Sequence, residues 1–243
     1  GVKGLVVGLS GGVDSAAAYF LASKAVGVDK VLALIMHDST VTPKEDVDDA
    51  KELVRVAGGS AHVIDIAPIV DAYVSAIPVY EPTDLVPVGN LRARIRMTLL
   101  YYYANKLGYA VLGTGDRSEI FLGYFTKYGD GGVDVLPIAP LLKSQVRRVA
   151  VKLGVPERVA FKPSSPRLWA GQTAEGELGF GYDEVDVVIH AIEDLGMSPD
   201  EASAATGVPV SAISRMLELN RASAHKRWRP PSPALDEVVK YLG

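Results

Sequence analysis

The segment Gly8-Leu9-Ser10-Gly11-Gly12-Val13-Asp14-Ser15 decides the fold. It follows an apolar run at residues 5–7 and precedes an alanine-rich run at residues 16–25, a pattern that predicts a strand, a tight glycine turn and a helix. In such a unit the backbone N–H groups and the helix N-terminus converge on one point, where they attract anions. The hydroxyls of Ser10 and Ser15 add donors and Asp14 adds a carboxylate, so the segment predicts a nucleotide phosphate accompanied by Mg²⁺.

Two common phosphate-binding loops do not match this segment. A Walker A loop requires a lysine after its last glycine, and none is present here. A dinucleotide fingerprint requires the spacing G-x-G-x-x-G, which Gly8, Gly11 and Gly12 do not have. The pattern S-G-G-x-D-S instead resembles the loop of the ATP pyrophosphatases, which split ATP between the α and β phosphates. The alternative is an ordinary glycine-rich turn, although packing alone does not require two serines and an aspartate there.

Composition limits the remaining classes. The chain has 243 residues, 48% of them hydrophobic, which is enough for one large α/β domain with a helical appendage. Its net charge of −4 argues against a protein that coats nucleic acid. The absence of cysteine excludes disulfides, thiolate zinc sites and cysteine nucleophiles. No apolar run approaches the ~20 residues of a membrane span and no secretory signal is visible, so we expect a cytoplasmic protein without membrane or nucleic-acid partners.

The later apolar runs alternate with helical patterns. Strands are predicted at residues 31–36, 61–66 and 109–112, and helices at residues 42–57, 69–77, 90–107 and 141–153. This order predicts a three-layer α/β/α fold with a mainly parallel, Rossmann-like sheet and right-handed crossovers. Because polar turns at the carboxyl ends of parallel strands meet at one edge, we expect Glu119 to share Mg²⁺ with Asp14.

The second half of the chain contains a proline-, serine- and glycine-rich segment at residues 162–173. Its length is typical of functional loops, and we interpret it as a lid over the substrate. We divide the chain into a nucleotide-binding α/β core (1–160), a lid loop (161–181) and a helical C-terminal extension (182–243).

Two charged clusters leave alternatives open. Glu45, Asp46, Asp48 and Asp49 open the helix at 42–57; we interpret them as complements of the helix dipole rather than as a metal site. Arginines at positions 92, 94 and 96 lie near the start of the 90–107 helix, where the dipole disfavours cations. They therefore have partners, which are either surface carboxylates or a phosphate or ribose.

Five segments together resemble the ammonia-dependent NAD synthetases: residues 10–15 (SGGVDS), 90–97 (NLRARIRM), 113–119 (GTGDRSE), 126–134 (TKYGDGGVD) and 225–227 (HKR). The first is shared with GMP synthetases, argininosuccinate synthetases and tRNA-thiolating enzymes, whereas the block at 126–134 is more specific. The resemblance implies ATP-dependent amidation of nicotinic acid adenine dinucleotide (deamido-NAD) to NAD by a homodimer. It implies an acyl-adenylate intermediate and release of AMP and pyrophosphate. Without a cysteine to form a glutamyl thioester, we expect ammonia to arrive free or from another protein.

The resemblance also assigns roles to individual residues. ATP would be bound by Gly8, Leu9, Ser10, Gly11, Gly12, Val13, Asp14, Ser15, Thr114, Lys143 and Ser164, with Asp14 and Glu119 as Mg²⁺ ligands. Deamido-NAD would be bound by Arg94, Lys127, Asp134, His225 and Lys226. The catalytic residues would be Lys143, which stabilises charge on the transferring phosphoryl group, and Asp130, which binds or deprotonates ammonium. One departure lies in the lid, where Ala174 replaces the aspartate usual in the family.

Two rival functions follow from parts of the sequence. The first motif alone also fits another ATP-pyrophosphatase-type synthetase, such as a GMP-synthetase-like enzyme. Residues 200–217 resemble a helix-turn-helix, and arginines and a lysine follow it, which suggests a DNA-binding regulator with a nucleotide-sensing domain. The negative net charge and the complete catalytic set before this segment favour the enzyme.

Overall fold

The computed structural model describes residues 1–169 and 171–233. Among these residues, parallel strands form a four-stranded sheet in the order β3-β2-β1-β4. The strands are β1 (Leu5–Gly8), β2 (Val31–His37), β3 (Ser60–Asp65) and β4 (Ala110–Leu112). The predicted parallel α/β sheet is therefore confirmed.

Helices cover both faces of the sheet. The helices of the core are α1 (Val13–Val26), α2 (Lys44–Ala57), α3 (Ala67–Ser75), α4 (Leu85–Leu107), α5 (Arg117–Leu122) and α6 (Lys143–Leu153). Because side chains alternate across a strand, Val7 packs against α1, α2 and α6 while its neighbour Val6 packs against α3 and α4. The result is the expected three-layer arrangement.

Helix α4 begins earlier than the sequence predicts. Its first residue is Leu85 rather than Asn90, so Pro87 belongs to the first helical turn and not to the preceding loop. Proline is tolerated there because the first turn has no acceptor for its missing N–H.

Two short helices precede the expected C-terminal extension: α7 (Glu157–Ala160) ends the expected core, and α8 (Ala174–Leu178) lies within the segment expected to be a lid loop. The extension itself is helical, as expected, and contains α9 (Tyr182–Ile189), α10 (Pro199–Thr206), α11 (Val210–Ala222) and α12 (Ala224–Arg227). A second apolar core joins α9, α10 and α11 to Phe121 and Leu122 of α5. The expected extension also included residues 234–243, which lie outside the described part. None of the helices described here has both the length and the apolar character that crossing a membrane requires.

Candidate active site

A cavity of about 440 Å³ opens at the carboxyl ends of β1, β2 and β4, the edge where α/β sheets bind ligands. Residues of the core, the lid and the C-terminal extension all line it. Of the predicted site residues, it is lined by Gly8, Leu9, Ser10, Gly11, Gly12, Val13, Asp14, Ser15, Thr114, Glu119, Asp130, Ser164 and Lys226. The structure thus brings most of the predicted ATP-binding residues to one place.

The loop after β1, which we call the phosphate loop (residues 8–15), is stabilised by hydrogen bonds of its own two serines. The Ser10 backbone N–H donates to Ser15 Oγ (3.1 Å), and the Ser15 hydroxyl donates to the Gly12 carbonyl oxygen (3.1 Å). Gly11 adopts φ +82°, and a Cβ there would collide with the carbonyl oxygen of Asp46 on α2. The N-terminus of α1 therefore opens into the cavity, a geometry that suits a phosphate.

Behind the loop lies a cluster that we call the buried polar centre: Lys143, Asp14, Asp116 and Glu119. The Lys143 side chain is fully buried, and its Nζ lies 2.7 Å from Asp14 Oδ2, 3.0 Å from Asp116 Oδ2 and 3.0 Å from Glu119 Oε1. The Tyr182 ring packs against the same ammonium, with its centroid 4.8 Å from Nζ. One cation is thus shared among three carboxylates.

Three carboxylates around one ammonium give this centre an excess of negative charge, which burial and mutual repulsion make unfavourable. Burial raises the pKa of Asp116 to about 6 and holds the pKa of Glu119 well above its usual range, although Lys143 opposes both shifts. Burial alone would lower the pKa of Lys143, but the three carboxylates outweigh it and raise that pKa well above its usual value. An added cation would relieve the repulsion.

Asp14 has a carboxylate oxygen that could bind such an added cation. Its Oδ1 atom is buried and has no hydrogen-bond partner within the described part of the chain. No cluster of three or more ligand side chains with metal-site geometry occurs in residues 1–169 and 171–233. Nucleotide-bound Mg²⁺ typically takes one or two carboxylates together with phosphate oxygens, so Asp14 and Glu119 fit that role better than they fit an all-protein site.

Asp130, the predicted ammonia-binding residue, lies at the mouth of the cavity. Its Oδ1 accepts a hydrogen bond from the Thr126 backbone N–H (2.8 Å), and the Thr126 hydroxyl donates to Asn90 Oδ1 (2.7 Å). Solvent in the cavity reaches the carboxylate, but protein atoms surround it, and this burial raises its pKa. Asp130 therefore lines the same cavity as the phosphate loop.

The other predicted dinucleotide-binding residues lie outside this cavity. Arg94 Nε donates weakly to the Lys127 carbonyl oxygen (3.4 Å), and the exposed His225 does not line the cavity. The Asp134 carboxylate accepts from the Val111 N–H (2.8 Å) and the Tyr101 hydroxyl (3.0 Å). Arg94 and Tyr101 both project from α4, so this group lies along that helix.

Comparison with known proteins decides the family. The family model described as NAD synthase matches residues 1–230. The chain belongs to the NAD synthase family. The NH(3)-dependent NAD(+) synthetase of Hyperthermus butylicus is 58% identical, covering 96% of this chain and 84% of that protein. The protein of the same name from Aeropyrum pernix is 56% identical, covering 99% of this chain and 85% of its own length.

Solved structures agree with this NAD synthase assignment. NMN synthetase from Francisella tularensis is 36% identical with a TM-score of 0.84, covering 96% of this chain and 90% of that one. The NH3-dependent NAD synthetase of Campylobacter jejuni subsp. jejuni NCTC 11168, in complex with nitrate, is 32% identical with a TM-score of 0.78 and the same coverage.

The most informative residue that sequence reasoning missed in this NAD synthase chain is Asp116. Its carboxylate caps α5: Oδ1 accepts from the Glu119 N–H (2.8 Å), while Glu119 Oε2 accepts from the Asp116 N–H (3.4 Å). This is a capping box, and its D-x-x-E spacing is readable in the sequence. The box fixes Glu119 with its other oxygen toward Lys143.

The far end of α5 is held by the C-terminal extension. Lys226 Nζ donates to the carbonyl oxygens of Gly123 (2.7 Å) and Phe125 (2.8 Å), and Arg227 donates to that of Ile120 (3.0 Å). Cations at a helix C-terminus complement its dipole. Lys226 and Arg227, two of the basic residues after the helix-turn-helix-like segment, therefore cap the helix that carries Glu119.

The three arginines of α4 have different partners. Arg92 Nε forms a buried ion pair with Asp38 (2.6 Å), and its NH1 donates to the Leu168 carbonyl oxygen in the lid (3.0 Å). Arg96 Nε donates to the Met36 carbonyl oxygen (2.9 Å), and this residue lines the cavity. Arg92 therefore matches neither of the two predicted kinds of partner, a surface carboxylate or a phosphate or ribose. It binds a carboxylate, but that carboxylate is buried.

The acidic residues of α2 correct the interpretation based on the helix dipole. Asp46 and Asp49 are buried, and they form ion pairs with Lys162 and Arg167 of the lid. Such contacts join residues more than 100 positions apart. The dipole accounts for the exposed members of the cluster but not for these two.

Proposed function

We propose that this protein catalyses the ATP-dependent amidation of deamido-NAD to NAD with ammonia. As a member of the NAD synthase family it is an enzyme, a ligase that forms a carbon–nitrogen bond. The observation that carries the proposal is the position of the buried polar centre directly behind the phosphate loop, at the edge of the sheet where substrates enter.

The first step is adenylation. A carboxylate oxygen of the pyridine substrate attacks the α-phosphorus of ATP, the bond to the β-phosphate oxygen breaks, and pyrophosphate leaves. The phosphate loop would hold the leaving group with N–H donors and the N-terminus of α1. The Lys143 ammonium lies behind the loop, 2.7 Å from Asp14 Oδ2, and would stabilise charge on the transferring phosphoryl group from there.

Asp14 and Glu119 would hold Mg²⁺ beside the phosphates. Their carboxylate oxygens are the hard ligands that this ion prefers, and the orphaned Asp14 Oδ1 is available for it. When bound, the ion would neutralise charge that develops on the departing pyrophosphate.

The second step is attack by ammonia. Its nitrogen adds to the acyl carbon, AMP leaves with the bonding electrons of the acyl–oxygen bond, and the nitrogen loses a proton. The Asp130 carboxylate would attract ammonium and accept a proton, and its raised pKa brings its basicity closer to that task. Closure of the lid would keep water away from the acyl-adenylate.

We propose that the dinucleotide site extends beyond the cavity, along helix α4. Arg94, Lys127 and Asp134 lie there, and Tyr102 on the same helix is 61% exposed. Exposed apolar and aromatic side chains are typical of an interface. We infer that a second copy of the chain covers this face and makes a homodimer, which light scattering of the purified protein at several concentrations would test.

Replacement of Lys127 tests this site. We expect Lys127→Ala to raise the KM for deamido-NAD at least about tenfold, the worth of one charged hydrogen bond, and to change the KM for ATP much less. An exposed lysine elsewhere, Lys152 of α6, gives a control as Lys152→Ala. Equal effects of Lys127→Ala on both substrates would contradict the assignment.

The decisive assay mixes ATP, Mg²⁺, ammonium and deamido-NAD and follows NAD and pyrophosphate. Parallel reactions replace deamido-NAD with nicotinic acid mononucleotide, because the F. tularensis relative is named an NMN synthetase. Preference for the mononucleotide would change the substrate and keep the reaction type. Product only from a purine nucleotide would move the function to a GMP-synthetase-like enzyme, and activity with glutamine alone would contradict the use of ammonia.

A further inference from the structure

The lid is attached to the core by a cluster of charges that no step of the proposed reaction uses. We propose that Asp46 and Asp49 of α2 are positioning residues that latch the lid closed over the phosphate loop by binding Lys162 and Arg167. We call these four residues the lid latch. Its effect on ATP rests on the proposed function, whereas its effect on lid opening does not.

The contacts of the latch are short and largely buried. Lys162 Nζ lies 2.5 Å from Asp46 Oδ1 and 2.7 Å from Asp49 Oδ2, and Arg167 Nε lies 2.8 Å from Asp46 Oδ2. Both oxygens of Asp46 are therefore engaged, each by a different cation of the lid. Ion pairs removed from water lose little to screening, so these contacts hold the lid more strongly than surface pairs would.

Asp46 touches the phosphate loop as well as the lid. Its carbonyl oxygen occupies the space that a Cβ of Gly11 would need. Asp46, Lys162 and Arg167 all line the cavity beside that loop. One residue thus joins the two walls between which the triphosphate would lie, and latching brings two cations next to the phosphate site.

The latch stabilises a strained backbone conformation at Arg167. This residue has φ +50°, a left-handed conformation that is unfavourable for a long side chain. Its side chain is anchored by Asp46, and the next residue is held by Arg92, which donates to the Leu168 carbonyl oxygen. Without Asp46 this strained turn loses a main restraint and would open more often.

An open lid lowers the fraction of protein that is ready to bind ATP. The apparent affinity falls in proportion to that fraction, while chemistry after closure is unchanged. The latch therefore predicts an increase in the KM for ATP at nearly constant kcat when Asp46 is neutralised.

Digestion with trypsin measures how often the lid opens. Lys162 is followed by Pro163, which blocks cleavage, whereas the bond between Arg167 and Leu168 is a normal trypsin site. We expect Asp46→Asn to speed cleavage after Arg167 about tenfold in the absence of substrates, because cleavage follows the population of the open form. Lys162→Met should act in the same direction while leaving Arg167 and Asp46 in place.

Asp48→Asn is the matched control. Asp48 lies on the same helix and carries the same charge, but it is exposed and forms no ion pair with residues in the described ranges. It should leave both the cleavage rate and the KM for ATP within about twofold of wild type. Asp46→Glu, which keeps the charge, should recover part of the protection.

Steady-state kinetics then distinguish a latch that acts on ATP binding from a purely structural role of Asp46. Asp46→Asn should raise the KM for ATP about tenfold with kcat within twofold, and a saturating non-hydrolysable ATP analogue should restore resistance to trypsin. Cleavage rates equal to those of Asp48→Asn would overturn the latch, even if the protein used no ATP. Faster cleavage without any change in the KM for ATP would refute its link to the nucleotide.

Discussion

The buried polar centre and the lid latch are both clusters of carboxylates and cations, but they are composed in opposite ways. In the centre one ammonium, Lys143 at the start of α6, is shared among three carboxylates at the starts of α1 and α5. In the latch two carboxylates, Asp46 and Asp49, bind two cations on a loop, and Asp46 contacts both cations. The first lies on helices and has excess negative charge, whereas the second is balanced and has its cations on the lid loop.

This difference separates two tasks of a ligase. A cluster with unsatisfied charge on rigid elements attracts a cation and keeps its geometry during the reaction. A charge-balanced cluster on a loop gains nothing from another ion, and it sets the position of the loop instead. Substitutions in the two clusters should therefore change different quantities.

The largest effect should come from the carboxylates proposed to hold Mg²⁺. We expect Asp14→Asn and Glu119→Gln each to slow pyrophosphate release about 1000-fold while circular dichroism shows an intact fold. Asp183→Asn is the control, since that carboxylate is 84% exposed. Near-normal turnover in either variant would mean that the excess negative charge of the centre has no catalytic use.

Removal of the shared cation should be the most destabilising change. Lys143→Met leaves three carboxylates without their partner, and breaking buried pairs in this way costs about 3–5 kcal/mol. Urea unfolding measures this loss, with Lys152→Met, an exposed lysine of the same helix, as the control. A loss below about 1 kcal/mol would show that the centre relaxes like a surface cluster, and the contrast with the latch would fail.

Asp116→Asn should have an intermediate effect. Asparagine still caps a helix, so α5 should persist, but the contact of its carboxylate with Lys143 is lost. Loss of such supporting contacts typically costs about 10- to 100-fold in metal affinity or activity. A titration of pyrophosphate release with Mg²⁺ would detect this, and an unchanged titration would restrict Asp116 to capping.

The smallest effect should come from Arg158, which lies outside the latch and binds the latch residue Asp49. Arg158 binds Asp49 at 3.0 Å, but its side chain is 51% exposed. Arg158→Ala should therefore change the free energy of unfolding by less than about 1 kcal/mol and leave trypsin cleavage after Arg167 unchanged. A cleavage rate as high as that of Asp46→Asn would extend the latch to Arg158.

The sequence predicts local features of this molecule well. The order of strands and helices follows from apolar runs and turn residues, and the phosphate loop follows from a motif of eight residues. The predicted start of α4 at residue 90 was wrong, since the helix begins at Leu85 and its first turn accepts Pro87. Asp116 was missed although its capping spacing is local and readable.

Contacts between distant segments were not predictable in the same way. The pairing of Asp46 with Arg167 spans 121 residues, and no pattern within either segment identifies the partner. For the same reason the contacts of Lys226 with backbone carbonyls of the core could not be foreseen. The roles assigned to Arg94, Lys127, Asp134, His225 and Lys226 stay predictions, and so does the catalytic role of Asp130.

Helix α5 has only six residues, too few to be stable by itself. Its first turn is tied by Asp116 and Glu119 to each other, and its last carbonyls are tied by residues more than 100 positions later. Both ends of this helix are therefore held in place, and Glu119, a proposed Mg²⁺ ligand, lies near the first of them. Shortening the chain before Lys226 would loosen Glu119 without removing any residue proposed to bind ATP.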